Sequence, residues 1–207
     1  GPAHLDIDGM TGDTTAMAEC ALAAMPEASF ARVPAYRPPA DPAILAQAVA
    51  AIDQARRPVL VLGTGVMVSQ AEAAVAALAE RLSAPVVAAL DAKSALVEQH
   101  PLNGGIVGTY SRSCANRIVA EADLVLFVGC DTGDQVTSNW VLPRPGLPVV
   151  QIDPDPAELG RSYPGTIGLQ ADVRTGLEQL AAAVAPRASG DWDARARALV
   201  AEWRAET

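Results

Sequence analysis

The chain has 207 residues, half of them hydrophobic but only 4% aromatic, and 24 acidic against 15 basic side chains give it a net charge of -9. That length holds one sizeable α/β domain with an aliphatic core and linkers, and two full domains would be a squeeze. An acidic chain without a basic stripe argues against nucleic acid and anionic membranes as partners, and no apolar run approaches the ~20 residues of a membrane helix.

The first ten residues, GPAHLDIDGM, lack the basic and apolar regions of a signal peptide, so the expected location is the cytoplasm. Residues 1–38 read as an incoming linker: an extended AHLDI, a Thr/Gly turn, an alanine-rich segment and VPAYRPPA, whose prolines disfavour regular structure. A helix is predicted from Asp41 through ILAQAVAAIDQA, with Asp41 as N-cap and Pro42 at the first helical position. Strand-like apolar runs follow at 58–62, 85–90, 123–129, 148–153 and 166–170, separated by helices near 69–83, 110–121, 155–161 and 173–185. Continuous apolar strands alternating with helices predict a doubly wound, mostly parallel sheet covered on both faces. After the break APRASGD, the tail WDARARALVAEWRAE reads as the amphipathic helix of an exit linker. The central domain is therefore expected at 39–186, between linkers at 1–38 and 187–207.

Several chemistries have little support. Cys20, Cys114 and Cys130 are scattered and odd in number, and the two histidines, His4 and His100, do not supply a zinc site or, without GxSxG, a Ser-His-Asp triad. Lys93 precedes Ser94 as in a P-loop, but Ala92 and Val87 stand where that motif needs glycine.

Two loops carry the functional signal. Gly63-Thr64-Gly65 follows the first strand and begins a GxGxxG, but Val68 holds the third glycine position. Ser69 to Glu72 reads as a capping box, which predicts a helix start four residues beyond Gly65. The second loop, VGCDTGDQVTSNW at 128–140, ends the third strong strand, where an open parallel sheet places its ligands. Asp131, Asp134 and Asp153 lie at strand carboxyl ends, where uncompensated carboxylates repel phosphate and where the alternative role is helix capping. Asp153 is placed either to meet ribose hydroxyls or to start the next helix, and Asp172 either to meet a ligand or to cap the helix after it. Cys130 reads as a buried small residue, since no His or Lys neighbours it in sequence to activate a thiol.

Taken in order, RPVLVLGTGVMVSQA, PVVAALDAKSALVEQHPLNGGIVGTY, ADLVLFVGCDTGDQVT, VVQIDPDPAELGR and IGLQADVRTGLEQL resemble the central domain of thiamine-diphosphate-dependent enzymes of the acetolactate synthase type, over about residues 41–184. GPAHLDI resembles the end of the preceding pyrimidine-binding domain. The resemblance implies a Rossmann-like domain of six strands, non-catalytic, joining two catalytic domains of a 2-oxo acid decarboxylase or carboligase. It implies that thiamine diphosphate and Mg²⁺ belong to the missing pyrimidine-binding and diphosphate-binding domains, since no GDG occurs here, and that the parent is a homo-oligomer. Family members bind FAD, ADP or no nucleotide in this domain. Positions matching the nucleotide contacts are Gly63, Thr64, Gly65, Ala89, Leu90, Val107, Gly108, Gly129, Asp153 and Asp172, with Lys93 on the lysine of a GKG pattern. Asp131 stands where flavin-type members carry the arginine of GxRFDD, and an anion in a cation's place is expected to leave the site empty or weakly used, with Lys93 as compensation. The alternative is an autonomous FAD-, ADP- or CoA-type nucleotide-binding module.

Overall fold

The computed structural model describes residues 27–29 and 31–206 and has six strands, most of them formed by aliphatic β-branched runs. The strands are β1 (Pro58–Leu62), β2 (Val86–Ala88), β3 (Asn103–Ile106), β4 (Leu124–Val128), β5 (Val149–Asp153) and β6 (Ile167–Gln170). All pairings are parallel, in the order β3-β2-β1-β4-β5-β6. β1 and β4 are buried along their whole length, as strands covered on both faces must be. The order reverses between β2-β1 and β4-β5, so the carboxyl ends of β1 and β4 flank a crevice at the topological switch point.

The helices are α1 (Pro42–Gln54), α2 (Gly65–Val68), α3 (Glu72–Leu82), α4 (Ser113–Glu121), α5 (Val173–Ala183) and α6 (Asp191–Glu206). α1 starts as its sequence dictates: the Asp41 carboxylate accepts from the Ala43 and Ile44 amides, and Pro42 fills a position that needs no N–H. Helices α1 and α3 pack with α5, while α4 packs with α6. Between helices and sheet lie fully buried side chains such as Leu60, Leu126, Phe127 and Ile152 from strands and Leu78, Ile118 and Leu177 from helices. Tyr163 stacks on Phe127, with ring centroids 5.6 Å apart.

The chain divides into two units, residues 1–32 and 33–207. In the first, the Ala31 amide donates to the Glu27 carbonyl at 3.2 Å. The expected extended piece, turn and alanine-rich segment, with His4 and Cys20, lie outside the described residues. In the second, residues 187–206 are packed on the domain. The Trp192 indole donates to the Pro58 carbonyl at 2.8 Å, Leu199 is fully buried, and Arg187 donates to the Ala55 carbonyl at 2.7 Å. No helix among the described residues is long and apolar enough to cross a membrane.

Three local expectations need correction. The Asn103–Ile106 strand is absent from the apolar pattern, because two of its four residues are glycines. Residues 155–161 form turns rather than a helix. There the Asp153 and Asp155 carboxylates take the Asp155 and Ala157 amides, and the Gln151 side chain takes Gly160 N–H, which removes donors a helix would use. Finally, Ser69 does not cap α3. The short helix α2 begins at Gly65 itself, α3 begins at Glu72 without a side-chain cap, and the Ser69 hydroxyl is committed to Asp172 at 2.6 Å.

Candidate functional site

The crevice between β1 and β4 is closed by backbone. Gly63 N–H donates to the Val128 carbonyl at 3.0 Å, and Gly65 N–H donates to the Gly129 carbonyl at 2.9 Å. The glycines permit this approach: a Cβ on Gly63 would lie 2.2 Å from the Gly129 oxygen, and one on Gly65 would lie 2.7 Å from the Gly129 Cα. Gly129 itself has φ +51°, which a residue with a side chain rarely adopts. The amide groups that a dinucleotide fold aims at pyrophosphate therefore join β1 to β4 here.

Of the sequence-derived candidates, Gly63, Thr64, Ala89 and Asp131 line a small cavity of about 140 Å³ together with Asp91 and Asp134. Gly65 and Gly129 are not among its lining residues and pack against each other. Leu90 opens the 3₁₀ turn after β2 and is half-exposed. Val107 is buried, its amide donating to the Ala88 carbonyl at 3.0 Å. Gly108 is locked against Gln135 by its own geometry, with its N–H given to the Asn116 side chain at 2.8 Å. Asp153 is only partly exposed; burial pushes its carboxyl up, the Asp155 amide opposes this, and Glu158, Asp155 and Asp131 add to the rise.

Charge is arranged differently from the expectation. Asp131 is not uncompensated: Arg161, which also pairs with Glu158 at 3.1 Å, donates to its carboxylate. Lys93 lines a second cavity of about 110 Å³ with Glu98 and Arg112. Asp172 does cap its helix, accepting from the Thr175 amide at 3.1 Å. The carboxylate also accepts from the Ser69 and Thr175 hydroxyls and from Arg37, which donates at 3.0 Å. Burial would push this carboxyl up, but hydrogen bonds from Ser69, Thr175 and Arg37 outweigh it and hold the group below its ordinary value. Arg37 and Arg161 escaped the sequence reading, because the carboxylates they answer, Asp172 and Asp131, lie 135 and 30 residues away.

Cys130 is fully buried, and desolvation followed by the nearby Asp91, Asp131 and Asp153 carboxylates pushes its thiol far above the ordinary range. It is a core residue without nucleophilic character. Beside the crevice, sharing Gly133 and Asp134, an open cleft of about 530 Å³ is bordered by Trp140, Arg161 and Ser162. A larger cavity, about 760 Å³, lies elsewhere, between the start of β3 and α6.

This arrangement does not fit a dinucleotide. The Gly63 and Gly65 amides are engaged by β4 and the segment after it, the guanidinium at the cleft is neutralised by two carboxylates, and Asp91 and Asp134 line the cavity at the turn, where they repel phosphate. Among the described residues, no three His, Cys, Asp or Glu side chains converge as a metal-binding group.

Known proteins sharing this sequence and fold are consistent with one another. A family model for the thiamine pyrophosphate enzyme central domain matches residues 45–180. A probable acetolactate synthase large subunit of Methanocaldococcus jannaschii is 32% identical over 186 residues, 89% of this chain and 31% of that protein. A probable 2-ketoarginine decarboxylase of Pseudomonas aeruginosa is 37% identical over 183 residues, 86% of this chain and 31% of that protein. A crystal structure of a candidate thiamin diphosphate-dependent enzyme from Mycobacterium smegmatis superposes with a TM-score of 0.61 at 31% identity, covering 72% of this chain and 29% of that one. The chain thus spans about a third of the length of the curated relatives it matches, 31% and 30% for the first two.

Proposed function

The chain belongs to the thiamine pyrophosphate enzyme central-domain family, and from that premise we propose that it serves as the non-catalytic central domain of an acetolactate synthase-like 2-oxo acid decarboxylase or carboligase. In this reading residues 39–186 bridge two catalytic domains, with linkers at 1–38 and 187–207. Thiamine diphosphate and Mg²⁺ are held by those neighbouring domains, and the parent assembles as a homo-oligomer. The candidate positions from Gly63 to Asp172 are then what remains of a nucleotide site.

The observation that carries the reading is the use of the Gly63 and Gly65 amides to tie β1 to β4. A glycine turn whose two glycine amides are committed to architecture supports a bridging role, since those donors do not serve a phosphate. The relatives' names differ in substrate, one an acetolactate synthase and one a 2-ketoarginine decarboxylase. Substrate choice accordingly belongs to the neighbouring domains.

The test has two parts. In a thermal-shift titration of this chain with FAD, ADP, CoA and Mg-thiamine diphosphate, a ligand at 100 times its Kd adds about 2.7 kcal/mol, or about 5–11 °C for a domain of this size. The expected result is no shift with any of them, and a shift with FAD or ADP favours an autonomous nucleotide module. For the parent, CO₂ release from 2-oxo acids is expected to depend on added thiamine diphosphate and Mg²⁺, and release without them counts against the proposal.

A further inference from the structure

The end of the sheet opposite the crevice gathers arginine. Between the start of β1 and the start of α6 lies a cavity of about 460 Å³, and Arg56, Arg57, Arg187 and Arg195 all line it. The chain as a whole carries a net charge of -9, so this cluster runs against its overall field.

The carboxylates in the wall answer only part of that charge. Arg195 is held by both oxygens of Glu121, at 3.0 and 2.8 Å. Asp193 is spent on the Ser189 hydroxyl, the Gly190 amide and Arg197, which does not line the cavity. Arg187 donates to the Ile52 and Ala55 carbonyls, neutral groups that fix the guanidinium in place and leave it charged. Among the described residues, the Arg56 and Arg57 side chains have no carboxylate at ion-pair distance, and it is their backbone amides that Asp123 takes. Three cations, Arg56, Arg57 and Arg187, are thus left against one carboxylate, Asp191.

We propose that this cavity binds a small aliphatic dicarboxylate, a role that goes beyond the bridging reading and does not depend on it. Its volume lies within the range of about 300–1,000 Å³ common to small-molecule sites. The planar guanidinium matches a carboxylate with two parallel N–H···O bonds. Two separated carboxylates fit this wall better than one phosphate, because the cations come from two segments, 56–57 and 187. Glu121 and Asp191 stand among them, and their repulsion falls more heavily on a doubly charged head than on two single charges set apart. Pro58, Leu82 and Trp192 supply apolar surface for the carbon chain between the two ends.

Isothermal titration calorimetry of the 207-residue chain at low ionic strength tests this, with glutarate, butyrate and inorganic phosphate as probes. One glutarate per chain is expected to bind with a Kd below about 1 mM, and butyrate about tenfold or more weaker, since it brings a single carboxylate. Joint Arg56→Gln and Arg57→Gln substitution removes two unpaired surface cations and leaves the Arg187 contacts in place, so the chain stays folded and glutarate affinity falls about tenfold or more. Asp191→Asn removes the opposing charge and is expected to tighten glutarate binding about threefold. No saturable heat with glutarate at millimolar concentration overturns the proposal, as does an unchanged Kd in the double variant. Phosphate binding as tightly as glutarate overturns the dicarboxylate assignment. The bridging reading is tested separately by the thiamine diphosphate dependence of the parent, so either can fail alone.

Discussion

Replacing Gly63 by alanine separates a glycine kept for architecture from one kept for a ligand. The added Cβ would meet the Gly129 oxygen at 2.2 Å and the Cys130 Cα at 2.3 Å. Carbon atoms pack at about 3.5–4.0 Å, so β1 and β4 must separate by about 1 Å or the turn must rebuild. Backbone cannot rotate aside as a side chain can, which places the cost near the upper end of the overpacking range, about 3 kcal/mol. For a domain of about 200 residues that lowers Tm by about 6–12 °C. Gly133→Ala is the control: it stands in the same region, but its Cβ would meet nothing closer than 3.6 Å, so its effect stays within about 0.5 kcal/mol. The two variants are compared by thermal and urea unfolding without ligand. A Gly63→Ala protein that unfolds within about 2 °C of the parent sequence would show that the turn is not holding the strands together, and the glycine would then need a ligand to explain it.

Asp172→Asn is expected to cost about 1–3 kcal/mol at pH 7, because the Ser69, Thr175 and Arg37 donors lose a charged acceptor. Since the folded-state pKa of Asp172 is lowered, its contribution is present above the unfolded value of about 3.9 and disappears as pH falls through the folded value. Acid titration of stability should therefore be flatter in Asp172→Asn than in the unsubstituted chain, and equal slopes would rule the carboxylate out as a source. Cys130 is expected to resist maleimide in the native chain at pH 8 and to react in denaturing urea, read by peptide mass; native labelling would contradict its burial. Asp131→Ala breaks an exposed pair with Arg161 and should change stability by no more than about 1 kcal/mol in urea unfolding. Trp192→Ala removes a buried indole and its hydrogen bond to Pro58, and a loss of about 3–5 kcal/mol is expected; a negligible loss would mean that α6 is not part of the folded core.

Sequence legibility followed the physics of each element. β1, β4 and β5 announce themselves because both faces are covered, and long apolar runs have no competing explanation at that length. β3 escaped because its residues serve their neighbours: a Cβ on Gly104 would lie 2.7 Å from Ile118, so close packing of α4 requires the glycine that hides the strand. Ser69 misled because a local capping pattern competes with a long-range use of the same hydroxyl, and the buried Asp172 carboxylate 103 residues away wins it. The crevice was partly legible: Gly63, Thr64, Ala89 and Asp131 do come together. Its electrostatics were not, because the Arg161 that answers Asp131 arrives from the turns after β5.

The attachment of the last segment also bears on how the domain is made. Arg187 donates to the carbonyls of Ile52 and Ala55, and Trp192 to that of Pro58, so the end of the first helix and the start of the first strand are finished by residues 135 and 134 positions later. Until Arg187 arrives, the Ala55 carbonyl stays with water and the Ile52 carbonyl has only the Ala55 amide. On a ribosome adding about 5–20 residues per second, that interval lasts about 7–27 s. Nascent chains halted before Arg187 are therefore expected to expose the base of β1, and the domain closes only once α6 has been made.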